Sequence, residues 1–79
     1  MSRSEKSRRL SSMDPGTHGR VVRVTRENAD RADRLAALGV TPGASITVLQ
    51  RFPGVVFLCD QTELAVEPAV ARAIVVEVE

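Results

Sequence analysis

The sequence contains very few aromatic residues. Tryptophan and tyrosine are absent from its 79 residues, and Phe52 and Phe57 are the two phenylalanines. Modules that bind proline-rich peptides need a groove lined with aromatic side chains, and modules that bind single-stranded nucleic acid stack bases on them. The sequence therefore predicts neither a proline-rich peptide nor a nucleic acid as a partner.

Cysteine and long apolar runs are also scarce. Cys59 is the only cysteine, so no internal disulfide can form, which fits a reducing, cytoplasmic setting. No apolar run approaches the roughly 20 residues of a membrane-spanning helix. The basic N-terminus lacks the apolar stretch of a secretory signal. We therefore expect a cytoplasmic protein without a membrane span.

The residues that usually carry catalysis or bind metals are few and scattered. His18 is the only histidine and lies far in sequence from Cys59, so neither a metal-ligand pair nor a nucleophile with its base is indicated. Cys59 stands in an apolar run beside Asp60, whose negative charge disfavours a thiolate. We predict an exposed His18, a buried structural cysteine and no enzymatic activity.

The charge is unevenly distributed along the chain. Residues 1–9 carry four basic side chains against one acidic one, whereas the remainder is slightly acidic. The basic segment shows no apolar periodicity, so we predict that residues 1–9 form a disordered tail. Residues 10–79 are then expected to form one small domain.

Short β-rich runs separated by tight turns make up most of that domain. The predicted strands are 20–25, 44–51, 55–59, 63–66 and 74–79. In the first strand we expect Val22 and Val24 to face the core, because Arg23 would be costly to bury. The last strand should pair with the first, since an exposed apolar edge invites aggregation. This pattern predicts a mainly β protein with a small, strongly bent sheet or barrel.

One helix and one helical turn interrupt the strands. Asn28 is a good N-cap for a helix that ends near Leu38, and Gly39 can adopt the left-handed conformation that ends it. Pro42 and Gly43 then favour a type II turn. A single helical turn is predicted at 68–73, before the last strand.

The longest motif surrounds this helix end. It is the run Arg34-Leu35-Ala36-Ala37-Leu38-Gly39-Val40-Thr41-Pro42-Gly43, followed by the strand Ile46-Thr47-Val48 and the turn Pro53-Gly54. With Gly16 and Gly19 before it, and Leu64-Ala65-Val66 and Ala73-Ile74-Val75-Val76 after it, the chain resembles the FeoA family, ferrous iron transport protein A. This domain also occurs at the C-terminus of some iron-dependent repressors. The resemblance covers residues 10–78.

The resemblance implies a fold and a role. The fold would be an SH3-like barrel of about five strands, with one short inserted helix and a helical turn before the last strand. The role would be that of a non-catalytic cytoplasmic accessory in ferrous iron uptake, a protein-interaction module on a FeoB-type membrane GTPase or its cytoplasmic domain. The alternative is a regulatory or self-association module related to the C-terminal SH3-like domain of metal-dependent repressors.

Iron itself raises the question of a metal site. Ferrous iron favours histidine and carboxylate ligands. One histidine and scattered carboxylates form no spaced cluster, so we predict no bound cofactor. Weak Fe²⁺ binding by Asp60, Glu63 or Glu67 stays open as the alternative.

The corner between the helix and the next strand is the predicted partner-binding site. It is a rigid, capped element that presents a few apolar groups, and such patches often mark interfaces. Leu38 and Val40 could equally face the core, and the sequence leaves both interpretations open. The predicted contact residues are Leu38, Gly39, Val40, Thr41, Pro42 and Gly43.

Overall fold

The structure is a computed structural model that describes residues 6–79. The strands are β1 (Ser7–Arg9), β2 (His18–Val24), β3 (Ser45–Gln50), β4 (Val55–Cys59), β5 (Thr62–Val66) and β6 (Ile74–Val78). The helices are α1 (Ala29–Ala37) and α2 (Pro68–Ala71), and a 3-10 turn spans Leu10–Ser12. In this part of the chain no helix is long and apolar enough to cross a membrane.

The strands form one antiparallel sheet. Their order is β1-β6-β2-β3-β4-β5, so β6 lies between β1 and β2. This confirms the prediction that the last strand pairs with the strand near residue 20. The inserted helix α1 and the short α2 before β6 also match the predicted mainly β architecture.

The core lies on one side of this bent sheet. Alternate residues of β3 and β4 point inward, and Leu35 of α1 and Leu10 of the 3-10 turn close the core from outside the sheet. The packing follows the period-2 pattern of the strands, in which every second side chain shares a face. The most deeply buried large side chains are Phe57, Leu10, Ile46, Ile74, Val40, Val48, Val55 and Val76.

The predicted disorder of the tail is wrong for Ser7–Arg9. These residues form β1, which pairs with β6 from Ser7 opposite Glu77 to Arg9 opposite Val75. A sheet edge is joined through backbone hydrogen bonds, which need no apolar side chains, so a basic composition does not reveal the strand. Charged side chains suit an edge strand because they discourage further pairing. The predicted disorder of residues 1–5 lies outside the described residues.

The predicted facing of β2 is wrong at Val22. Val21 is buried, whereas Val22 is 42% exposed and Val24 is half-buried against the core. A register shift between Val21 and Arg23 places one extra residue in β2 opposite β6. The bulge explains the error, since it lets Val21 point inward while Arg23 stays outside.

Candidate functional site

Local hydrogen bonds fix both ends of α1. The Asn28 Oδ1 atom accepts a hydrogen bond from the backbone N–H of Arg31 at 3.0 Å, as an N-cap does. At the other end, the N–H of Gly39 donates to the Ala36 oxygen and the N–H of Val40 donates to the Leu35 oxygen, both at 3.0 Å. These two bonds form a Schellman ending, and Gly39 has the left-handed φ of +94° that it requires.

The turn after the helix is tied to β2. The N–H of Ala44 donates to the Thr41 oxygen at 3.0 Å, and Gly43 has a φ of +92°, which fits a type II turn. The N–H of Gly43 donates to the Val21 oxygen at 2.8 Å. The corner, residues 38–43, is therefore held at both ends by backbone hydrogen bonds.

The two apolar side chains of the corner differ in solvent exposure. Val40 is 1% exposed and belongs to the core, so its side chain does not face a partner. Leu38 is 50% exposed. Gly39, Thr41, Pro42 and Gly43 are exposed as well, so five of the six predicted contact residues lie at the surface.

An open groove of about 420 Å³ continues from Leu38. It runs between α1 and the segment formed by β5 and α2, and Arg31, Arg34 and Glu67 supply its charged rim. The pattern of the sequence did not indicate the groove, because its two walls come from segments about thirty residues apart. In the sequence, the second wall shows only as two valines, Val66 at the end of a predicted strand and Val70 in the predicted helical turn. The apolar lining of the groove consists of Leu35, Leu38, Ala65, Val66 and Val70.

Cys59 lies beneath the corner. Its side chain is buried, and its Sγ atom donates to the Gly39 oxygen at 3.4 Å. Burial, and to a lesser extent the neighbouring negative charge of Asp60, raises the pKa of the Cys59 thiol above its ordinary value of 9.0. The thiol is therefore neutral and shielded, which confirms the prediction of a buried structural cysteine.

The residues considered as iron ligands are not brought together. Within residues 6–79, no three His, Cys, Asp or Glu side chains are grouped so that they could hold a metal ion. The carboxylate of Asp60 instead accepts a hydrogen bond from the N–H of Ser45 at 3.1 Å. His18 is exposed at the start of β2, as predicted.

Comparison with models of known protein families shows which family the chain belongs to. The FeoA domain matches residues 8–78, which is nearly the whole chain. The chain belongs to the FeoA family. A search of curated proteins gave no significant match. The family match also begins within β1, in agreement with the structural role of that strand.

Solved structures of FeoA proteins and of repressors share the fold. The iron uptake regulatory protein FeoA has a TM-score of 0.83 and 28% identity, with 92% of this chain and 99% of that chain covered. T. acidophilum IdeR has a TM-score of 0.84 and 29% identity, with 92% of this chain and 34% of that chain covered. The Stenotrophomonas maltophilia FeoA complexed with zinc, an SH3 domain protein, has a TM-score of 0.78 and 24% identity, with 89% and 93% covered. This FeoA chain therefore has the SH3-like fold, and it spans about a third of the repressor.

Proposed function

We propose that this FeoA chain is a non-catalytic cytoplasmic accessory of ferrous iron uptake that binds a FeoB-type membrane GTPase through its cytoplasmic domain. Family membership supports the iron-uptake setting. The observation that carries the binding role is the exposure of Leu38 on the rigid corner. An apolar side chain that is held outside the core by its backbone is a candidate interface anchor.

The groove beside Leu38 supports this role. Its floor is apolar, and its rim carries Arg31 and Arg34 on one side and Glu67 on the other. An apolar side chain of the GTPase domain that enters the groove would bury surface against Leu38, and the charged rim would fix its orientation. Because the corner is already ordered, binding would cost little conformational entropy.

The test is an NMR titration of the isotopically labelled chain with the soluble cytoplasmic domain of a FeoB-type protein from the same genome. We expect localised shifts at residues 38–43 and along the groove at Val66 and Val70. Shifts confined to the surroundings of Val22 and Leu49, which are exposed and do not line the groove, would contradict the proposed surface. The absence of any shift, with and without guanine nucleotide, would contradict the proposed partner.

In this proposal, iron is the cargo of the partner and not a resident metal of this chain. An anaerobic Fe²⁺ titration of the same labelled sample tests this point. We expect no saturable effect on the signals of Asp60, Glu63 and Glu67. Saturable paramagnetic broadening confined to these three residues would establish the weak metal site that the sequence left open.

A second candidate function is a regulatory or self-association module. The structural similarity to IdeR, a protein of which this chain matches about a third, favours it. Sedimentation analysis distinguishes the two roles. A stable oligomer that Leu38→Glu dissociates would favour self-association through the corner, whereas a monomer that binds the GTPase domain favours the accessory role.

A further inference from the structure

Three arginines line a second pocket at the N-terminal end of α1, whereas the corner follows the C-terminal end of this helix. This pocket has a volume of about 310 Å³ and is lined by Arg9, Arg31 and Arg72, together with Glu27 and Thr25. The three arginines come from the end of β1, the first turn of α1 and the end of α2. Three basic residues and one acidic residue therefore line one small space.

Three other arginines have carboxylate partners, whereas Arg23 and Arg34 have none among the described residues. Arg20 pairs with Glu79 at 3.4 Å, Arg26 with Asp33 at 2.9 Å and Arg51 with Asp14 at 2.9 Å. The guanidinium groups of Arg31 and Arg72 make no ion pair with any residue of the described chain.

Arg9 is only partly engaged. One Nη1 hydrogen bond of its guanidinium, at 2.6 Å, goes to the Arg72 backbone oxygen, and no carboxylate among residues 6–79 pairs with the group. No hydrogen bond within residues 6–79 engages its remaining donors. Among the described lining residues, Glu27 is the only one whose negative charge opposes the three arginines.

A further feature of the pocket suits an anion. Asn28 and Arg31 place the N-terminal turn of the nine-residue α1 in its wall, where the helix dipole is positive.

We propose that this pocket binds a phosphate-type oxyanion. Guanidinium forks match the oxygens of a phosphate group, and three of them supply charge for a doubly negative ligand. The lining contains no aromatic side chain on which a base could stack, so the site would hold a phosphate or pyrophosphate group rather than a whole nucleotide. The ligand could be free inorganic phosphate, free pyrophosphate or the terminal phosphates of a nucleotide. This inference does not depend on the proposed function.

The test is calorimetric and NMR titration of the full chain with phosphate, pyrophosphate and GTP at constant ionic strength, with a dicarboxylate as reference. Constant ionic strength removes general charge screening. We expect saturable binding of at least one phosphate compound, with a Kd of about 1 mM or tighter, and amide shifts at Thr25, Arg31 and Arg72. Phosphate should also raise the midpoint of thermal unfolding, because a ligand that binds only the folded state stabilises it.

Comparison of the three phosphate compounds identifies the source of the anion. GTP binding as tight as that of pyrophosphate would assign the site to terminal phosphates. Preference for inorganic phosphate would assign it to the free ion. No saturation by any of them below about 10 mM, a range in which even weak sites are occupied, would overturn the inference.

Two matched variants distinguish specific phosphate binding in the pocket from non-specific attraction of the anion to surface arginines. Arg72→Gln touches this pocket and not the groove beside Leu38, so it should weaken phosphate binding at least about tenfold, the loss of one charge-assisted contact. Arg34→Gln removes the same charge one helical turn beyond Arg31, at a residue that does not line this pocket, and should leave phosphate binding unchanged. Equal weakening by both variants would overturn the proposal.

A conservative variant tests the acidic residue of the pocket. Glu27→Gln removes the opposing carboxylate and should tighten phosphate binding several-fold. Weaker binding by Glu27→Gln in a folded protein would contradict the assignment.

Discussion

Gly39 fixes the geometry of the corner from a single backbone position. Its φ of +94° lies in a region that L-residues rarely adopt, and a Cβ added at this position would meet no atom within 4 Å. The cost of any side chain at this position is therefore a backbone cost and not a steric clash with a neighbour.

We predict that Gly39→Ala lowers the free energy of unfolding by about 1–2 kcal/mol. Urea unfolding measures this change. Gly54→Ala is the matched control, because Gly54 has no positive φ and its Cβ would meet only an ordinary contact at 3.5 Å, the Val66 oxygen. A Gly39→Ala variant as stable as the control would show that the corner does not need the left-handed residue.

The neutral thiol of Cys59 makes stability depend on pH. Its pKa is higher in the folded chain than in the unfolded chain, so the folded state holds this proton more tightly. The contribution of the Cys59 proton to the free energy of unfolding is complete below the thiol pKa of the unfolded chain. It is lost as the pH rises from that value through the thiol pKa of the folded chain.

We therefore predict that the free energy of unfolding of the wild-type protein falls above about pH 9. The Cys59→Ala variant should show a smaller fall, because it has no thiol to ionise. Urea unfolding at several alkaline pH values measures it. A thiol reagent should modify native Cys59 slowly and the unfolded chain quickly. Rapid modification of the native protein would contradict the buried, neutral thiol.

Short-range sequence signals predicted the backbone conformation of the corner. Which of its side chains is buried depends on tertiary packing. The Asn28 cap, the glycine stop and the Leu35–Val40 ending all follow from residues within a few positions of each other. Whether Leu38 or Val40 is buried depends on where β5 and α2 lie, and no short pattern carries that information. The groove beside Leu38 was missed for the same reason.

At the scale of elements, β1 is the strand that composition concealed. It covers one edge of β6 and positions Arg9, whose guanidinium donates to the Arg72 oxygen near the end of α2. The other strands showed their positions through apolar alternation and turn residues. The three residues of β1, Ser7–Arg9, are basic or polar and show neither apolar alternation nor flanking turn residues. The bulge at Val22 was hidden likewise, since it depends on the pairing with β6.

We predict that removal of residues 1–9 lowers the free energy of unfolding by roughly 2–3 kcal/mol, because several backbone hydrogen bonds to β6 are lost at about 1 kcal/mol each. It should also promote self-association, since β6 then presents an unpaired edge. Urea unfolding and sedimentation measure the two effects. A truncated chain as stable and as monomeric as the full chain would contradict a structural role for β1.

At the scale of the whole molecule, two proposed recognition surfaces lie along α1. The arginine pocket lies at the N-terminal end of the helix, the apolar groove beside Leu38 extends toward its C-terminal end, and Asn28 and Arg31 line both. The family resemblance predicted the fold and the corner, but the arginine pocket joins β1, α1 and α2, which are distant in sequence.

The central claim is that Leu38, and not the core residue Val40, carries the contact with the GTPase domain. Val40→Ala should lower the free energy of unfolding by about 2 kcal/mol, since it empties a packed site. The protein that remains folded should still bind the partner. Loss of binding by folded Val40→Ala would contradict the separation of the two side chains.

The most direct measurement is the affinity of the GTPase domain for Leu38→Glu and for Leu49→Glu. Both leucines are about half exposed, at 50% and 44%, so the two variants place the same charge on the surface of the same fold. We predict that Leu38→Glu weakens binding at least about tenfold, as the loss of an interface anchor does, and that Leu49→Glu leaves it unchanged. Equal affinity of both variants, or greater weakening by Leu49→Glu, would contradict the account.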